Sequence, residues 1–412
     1  MKLRVYLFLI VTGLSLALGA FIRHTLNQRT QATLVWQGDT ATVPFEDYGG
    51  HLYIQASANG TPAENWIIDS GAADVFISQR KAAALNLQPQ DQVSIPGESH
   101  SVSTHYVPRL AVQVGPIALQ DQESVAIPAS ETQGLEQYFG RSLTGILGYE
   151  LFEQLVVELN YSQHRLRLHR PSTYRYQGTG IRLPLLIQNK RPYVEASILP
   201  YGSPPLQGRF MIDLGSNTSV SIKASCGLER RLLAAAPRTL QRQLTTIQGS
   251  TPVVLGRLQK FQIGEIAIRQ PVAVVSATSK GECDRITGNI GNGILRQFNV
   301  ILNYPQKQLI LEPLRQPTEE SANSYDLSGI ALQAKGAQLN TYRIGNVFPH
   351  TPAAQAGLQI GDIVTQVNGK PSQKLTLVEV RQQLSQPNTT ARLTIRRGTR
   401  KIDTRLNLKP LL

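Results

Sequence analysis

An internal duplication constrains this chain more than any other feature. Leu143–Tyr161 aligns without a gap to Ile286–Tyr304, and Leu166 and Leu168 continue the match against Leu309 and Leu311, at a constant offset of 143. A second block lies upstream in each half. Tyr53–Ser57 matches Tyr193–Ser197, and Trp66–Ala72 matches Phe210–Ser216 at an offset of 144. Between the blocks, Val114-Gly115 followed by Ile117 and Leu119 answers Ile263-Gly264 followed by Ile266 and Ile268. Two blocks in one order at nearly one offset make the middle of the chain a tandem repeat, residues 48–170 and 185–315.

Within each half the segments are short and rich in Val, Ile, Leu and Tyr. Turn residues such as Asn59-Gly60 and Gly202-Ser203-Pro204 separate them. This pattern predicts antiparallel sheet with hairpins. A short helix is expected after each Gly-rich turn, at Tyr149–Gln154 and Asn292–Gln297. With 33 Gly and 24 Pro in 412 residues, turns and short strands are favoured over long helices.

In each half an apolar strand delivers an aspartate into a Gly-containing turn. The first is Ile67-Ile68-Asp69-Ser70-Gly71-Ala72 and the second Met211-Ile212-Asp213-Leu214-Gly215-Ser216. A carboxylate at the end of an apolar strand is costly unless it is hydrogen-bonded or functional. The glycine lets backbone amides approach it. One such aspartate caps a β-turn more often than it catalyses. Two copies in register within a duplication point to a facing pair, and two carboxyls a few ångströms apart share one proton.

These residues resemble the retropepsin-like and pepsin-like aspartic proteases. Asp69-Ser70-Gly71-Ala72 is similar to the signature of that superfamily, and Ile146-Leu147-Gly148 to its apolar-apolar-Gly brace. Asn289-Ile290-Gly291 is the poorer brace of the second half, and each Leu-Asn-Tyr followed by Leu-x-Leu looks like the closing strands. The resemblance covers residues 48–315. It implies a mainly β, bilobal double β-barrel without cofactor or metal, in which Asp69 and Asp213 are the catalytic dyad. It further implies that Ser70, Gly71, Gly215, Ser216, Ile146, Leu147 and Gly148 support the active-site loops, with Ser70 in a hydroxyl network locking them together. Flaps are expected near Gly97–Thr104 and Thr245–Pro252, rich in Gly, Ser and Thr. Leu214 departs from the pattern, because the family carries Thr or Ser there. The second loop is then held by packing, or its aspartate is misplaced; Asn289 in the brace points the same way.

Arg315 to Asn323 is polar, and residues 316–324 are expected to be a linker. Beyond it, Thr351-Pro352-Ala353-Ala354-Gln355-Ala356-Gly357-Leu358 and Gly361-Asp362-Ile363-Val364 through Val367-Asn368-Gly369 closely resemble a PDZ domain, an α+β module over residues 325–412. A helix is expected at Leu375–Leu384 and a late strand at Leu393–Arg396. A PDZ domain binds an extended peptide by adding it to a sheet edge. Leu327-Ser328-Gly329-Ile330 is either the loop whose amides hold a terminal carboxylate or the ordinary start of a strand.

The N-terminus opens with Lys2 and Arg4, and Val5–Ile22 then runs 18 residues without a charge. Residues 1–30 read as a signal peptide or, preferably, an uncleaved membrane anchor. An exported, periplasmic, membrane-anchored protein is expected. Cys226 and Cys283 form one disulfide or remain two buried thiols. The net charge of +13 is scattered rather than gathered into a basic block interleaved with aromatics, which argues against a nucleic-acid partner. The seven His are dispersed, with no His-Glu-x-x-His, no P-loop and no Gly-x-Ser-x-Gly elbow.

Three functions fit these observations. The first is an aspartic endopeptidase acting on protein or peptide substrates, its PDZ domain recruiting or gating them. The second is an inactive protease-like scaffold that binds peptides. The third is a membrane-tethered assembly factor that works through PDZ.

Overall fold

The computed structural model describes residues 32–95, 101–224, 232–246, 249–277, 286–314 and 326–412. The expected N-terminal segment 1–30, the linker 316–324, Cys226, Cys283 and the flap tips at 97–100 and 247–248 lie outside them.

The chain is mainly β, and side-chain alternation explains its strands. Strand Arg191–Leu199 buries Pro192, Val194, Ala196 and Ile198, and turns the residues between them outward, the period of two expected of a strand with one face on a core.

Two large sheets form two lobes built on one plan. In the first, Glu64–Ile68 pairs antiparallel with His51–Ala58 and parallel with Gly145–Leu147, which pairs antiparallel with Phe76–Ser78. In the second, Leu206–Ile212 pairs antiparallel with Arg191–Leu199 and parallel with Ile286–Ile290, which pairs antiparallel with Val220–Ala224. The registers correspond: Ile146 lies opposite Ile67, and Asn289 opposite Met211. Both expected flaps are hairpins, Gln92–Ile95 with Val102–Val114 and Thr239–Thr246 with Gly249–Arg257.

A third sheet joins the lobes. Its order is Ile181–Pro184, Gln308–Pro313, Phe298–Asn303, Val156–Asn160, Arg165–His169 and Thr40–Pro44. At its centre the repeated closing strands pair with each other, Val157 opposite Leu302 and Leu159 opposite Val300. One continuous apolar core runs through both lobes.

Short helices follow the repeated turns at Tyr149–Gln154 and Asn292–Leu295, the second ending two residues before the expected boundary. Helix Ala129–Phe139 is an addition to the expected elements. It follows Pro128, stops at Gly140 with φ 74°, and buries Thr132, Leu135, Glu136 and Phe139 at helical spacing.

The C-terminal domain has its own core. Its sheet runs Ile330–Lys335, Thr341–Val347, Ile363–Val367, Thr389–Arg397, Arg400–Leu408, so Ile330–Lys335 is an edge. Helix Leu377–Gln383 starts at a capping box, Thr376 with Glu379.

Candidate active site

Each catalytic-type loop is built the same way. The amide of Asp69 donates to the carbonyl of Leu147 at 3.0 Å, and that of Asp213 to Ile290 at 2.9 Å. The amide of Gly71 donates to Asp69 Oδ1 at 2.7 Å, and that of Gly215 to Asp213 Oδ1 at 3.1 Å. Beneath each loop sits the brace glycine. A Cβ on Gly148 would lie 2.4 Å from the Asp74 carbonyl and 2.6 Å from that of Ala72; on Gly291 it would lie 2.4 Å from the Thr218 carbonyl and 2.7 Å from that of Ser216. No side chain fits in either place. Ile146 and Leu147 are buried under the first loop. Ser216 Oγ is hydrogen-bonded to Thr218 Oγ1 at 2.8 Å and accepts from the Thr218 amide at 3.3 Å, closing the second turn.

The two loops interpenetrate. A Cβ on Gly215 would fall between 2.3 and 2.6 Å from the carboxyl atoms of Asp69, and one on Gly71 would fall 3.0 Å from Asp213 Oδ1. Each glycine therefore faces the carboxyl of the opposite half, and the carboxyls of Asp69 and Asp213 stand close enough to act on each other. Burial, followed by the negative charge of Asp69, pushes the Asp213 carboxyl well above the usual carboxylate range. Burial raises Asp69 too, against the Gly71 amide and the Arg191 guanidinium, which favour its charged form. The direction for the pair is one retained proton, because two adjacent buried carboxylates repel.

Ser70 ties the loops together from one side. Its buried Oγ donates to the Ile212 carbonyl at 2.6 Å and accepts from the Leu214 amide at 3.0 Å. Leu214 cannot reciprocate, yet Asp213 is not displaced. The Leu214 side chain is fully buried in the interlobe core. Its carbonyl accepts from Asn292 Nδ2 at 2.7 Å, which also donates to the Gly50 carbonyl at 2.9 Å. Asn292 in turn accepts from the Tyr161 hydroxyl at 2.7 Å. On the other side Tyr304, the repeat counterpart of Tyr161, donates to the Ser70 carbonyl at 3.4 Å.

Asn289 is not a degraded brace. Its Nδ2 donates to Asp213 Oδ2 at 2.8 Å, a contact that the apolar counterpart Ile146 cannot make with Asp69.

Sequence reasoning missed Asn292, Tyr161, Tyr304, His51 and Arg191. His51 Nδ1 lies 2.9 Å from the Gly215 carbonyl, and Arg191 Nε donates to the Gly71 carbonyl at 2.8 Å. A signal existed, since each is adjacent to or inside a repeated block.

The candidate PDZ loop is bonded largely within itself. Leu327, Ser328, Gly329 and Ile330 are all buried. The Leu327 amide donates to the Leu384 carbonyl, the Gly329 amide to Asp326 Oδ1, and the Ile330 amide to Ser328 Oγ. Ser328 Oγ donates to Asp326 Oδ1 at 2.6 Å. Three of these amides thus have internal acceptors, one of them the Asp326 carboxylate. Among the described residues no cluster of three or more His, Cys, Asp or Glu is placed to hold a metal ion.

Comparison with known families agrees with this arrangement in outline. Residues 54–151 match the model of an aspartyl protease family, and residues 343–397 match that of the PDZ domain. The first match spans Asp69 and its brace and stops before the second repeat. No curated protein matches the chain. The chain thus carries an aspartyl protease domain and a C-terminal PDZ domain.

Proposed function

We propose that this chain is an aspartic endopeptidase whose dyad is Asp69 and Asp213. One observation carries the reading: each loop glycine abuts the opposite aspartate, Gly215 closely enough to exclude a Cβ, which sets the half-buried Asp69 carboxyl against the buried one of Asp213. A water held between them is activated by the ionised carboxylate, which takes one of its protons as the oxygen attacks the scissile carbonyl carbon. The protonated partner gives its proton to the carbonyl oxygen. Collapse of the resulting diol returns a proton to the pair and protonates the leaving amine. No covalent intermediate forms, and the dyad ends with the single proton it began with.

The inactive-scaffold reading rests on Leu214. The bonds from Ser70 and Asn292 to that loop, and from Asn289 to Asp213, support the catalytic reading instead. The substrate class is protein or peptide. Casein or another unfolded protein, incubated with the full-length chain from acidic to neutral pH, should be cleaved. Asp69→Asn should reduce cleavage at least about a thousandfold, because the pair loses its base. Cleavage at an unchanged rate by Asp69→Asn would remove the dyad from the reading, and no cleavage by the parent at any pH would leave a peptide-binding scaffold.

The PDZ domain is proposed to gate rather than simply recruit. A peptide would add to the edge strand Ile330–Lys335 beside helix Leu377–Gln383. Helix Ala129–Phe139 of the first lobe packs against that strand. Arg381 donates to the carbonyls of Tyr138 at 2.7 Å and Leu332 at 3.2 Å, and Lys335 bonds Gln137. A Cβ on Gly140 would lie 2.5 Å from Leu377 Cβ. The groove is therefore filled in cis, and an incoming peptide must displace this helix. Export with anchoring by residues 1–30 in the periplasm rests on the basic start and the uncharged run, and membrane fractionation tests it.

A further inference from the structure

The two halves exchange one side chain each. His51 and Arg191 occupy equivalent places, two residues before Tyr53 and Tyr193 of the repeated block. Tyr53 pairs with Ile67 and Tyr193 with Met211, so continuing each register places His51 beside Asp69 and Arg191 beside Asp213. Neither side chain bonds its own loop. Arg191 crosses to the carbonyl of Gly71, and His51 to that of Gly215.

We propose that His51 and Arg191 are positioning residues for the dyad, each clamping the catalytic loop of the other half, one as a permanent cation and one as a neutral donor. The proposal rests on the hydrolase reading. The clamped atoms matter because the amides of Gly71 and Gly215 are the groups that hold the two aspartate carboxyls. Each clamped carbonyl lies in the peptide unit that follows the one carrying the glycine N–H. Fixing it holds the glycine's ψ and the exit of the turn, and so steadies the loop from which the N–H reaches the carboxyl.

The two clamps differ in charge. A carbonyl oxygen only accepts, so the His51 proton sits on Nδ1. Its Nε2 is buried with no hydrogen-bond partner, and the ring packs on Phe139 at 4.5 Å between centroids. A second proton there would be an unpaired buried charge. Burial accordingly lowers His51 to about 4, and the ring is neutral at higher pH. Arg191 remains charged and favours the ionised form of Asp69. Charged and titratable groups facing the pair and its clamps come from several elements. Tyr304 faces both aspartates, and its phenol is held neutral by burial. Arg296, paired with Asp47 at 3.4 Å, and Arg381 of the PDZ domain both face His51 and oppose its protonation. Asn289 is the uncharged donor to Asp213.

The test is a pH–rate profile of the full-length chain on an unfolded protein, with four variants. Arg191→Met should lower kcat about tenfold or more and move the acid limb upward by about one pH unit, since the first ionisation of the pair loses its cation. Arg191→Lys, which keeps the charge, should leave the limb in place. His51→Leu should lower kcat about tenfold with both limbs unmoved. His51→Asn, whose Nδ2 can reach where Nδ1 stands, should restore most of the rate. If Arg191→Met leaves limb and rate within twofold of the parent, or if His51→Leu and His51→Asn behave alike, the clamps are packing only and the proposal fails. A second measurement works without turnover. The carboxyls of Asp69 and Asp213 can be titrated by 13C NMR, with Asp69→Asn and Asp213→Asn giving the assignment. Arg191→Met should raise the first ionisation of the pair even if the chain hydrolyses nothing, and an unmoved titration would overturn the proposal independently of the hydrolase reading.

Discussion

Leu214 shows how little a single side chain says about a loop held from both ends. The lost hydroxyl is replaced by a division of labour. Ser70 serves the amide of position 214 and the carbonyl of Ile212, Asn292 serves the carbonyl of 214, and the leucine side chain fills the core. The aspartates themselves are held in an unfavourable setting. Burial and mutual repulsion raise the Asp213 carboxyl, so its contribution to stability has a definite sign. A folded-state value above the unfolded one means stability present below the ordinary carboxylate range and lost as pH rises through the folded value. Asp213→Asn removes that ionisation. Thermal melts should show it matching the parent at about pH 4 and exceeding it by a few degrees at about pH 8, while cleavage is abolished. Equal melting temperatures at both pH values would mean that the pair is not strained by its second charge.

At the scale of elements, helix Ala129–Phe139 connects two regions of the molecule. Tyr138 lies under the Arg381 guanidinium at 5.1 Å, and Phe139 lies against His51, which holds Gly215. One helix thus touches both the edge strand of the PDZ domain and the histidine that bonds the second aspartate loop. Its replacement by a peptide would remove packing from behind His51. Tyr138→Ala takes away an aromatic face and leaves the PDZ domain's own residues intact. The variant should bind a peptide with an apolar C-terminus about tenfold more tightly than the parent, measured by fluorescence anisotropy on the full-length chain. Unchanged affinity would show that the helix does not compete for the groove.

Among the described residues, the two largest of the four apolar clusters divide the molecule. The lobes share one, because the central sheet pairs Val156–Asn160 of the first repeat with Phe298–Asn303 of the second. The PDZ domain has its own. Differential scanning calorimetry should therefore show the lobes melting together and the PDZ domain in a separate transition, and Val157→Asp in the shared sheet should lower only the first. Three transitions, one per lobe and one for PDZ, would contradict a shared core.

Much of this architecture is legible in the order of the residues. The repeat specifies which segments correspond, since one fold pattern must bury the same apolar positions twice. The aspartate-to-glycine spacing and the brace glycines are readable because only a hydrogen-bonded turn tolerates a carboxyl at the end of an apolar strand. Helix Ala129–Phe139 is also within reach, at helical spacing between Pro128 and Gly140, but a weakly apolar stripe does not announce what it covers. The amino-acid order alone determined the two acidic loops and the PDZ signature. Tertiary structure decided that those loops cross, that His51 and Arg191 each bond the loop of the other half, and that helix Ala129–Phe139 packs on the edge strand of the PDZ domain. Such contacts join residues far apart in the chain, and a one-dimensional pattern records which face a side chain takes but not which neighbour meets it.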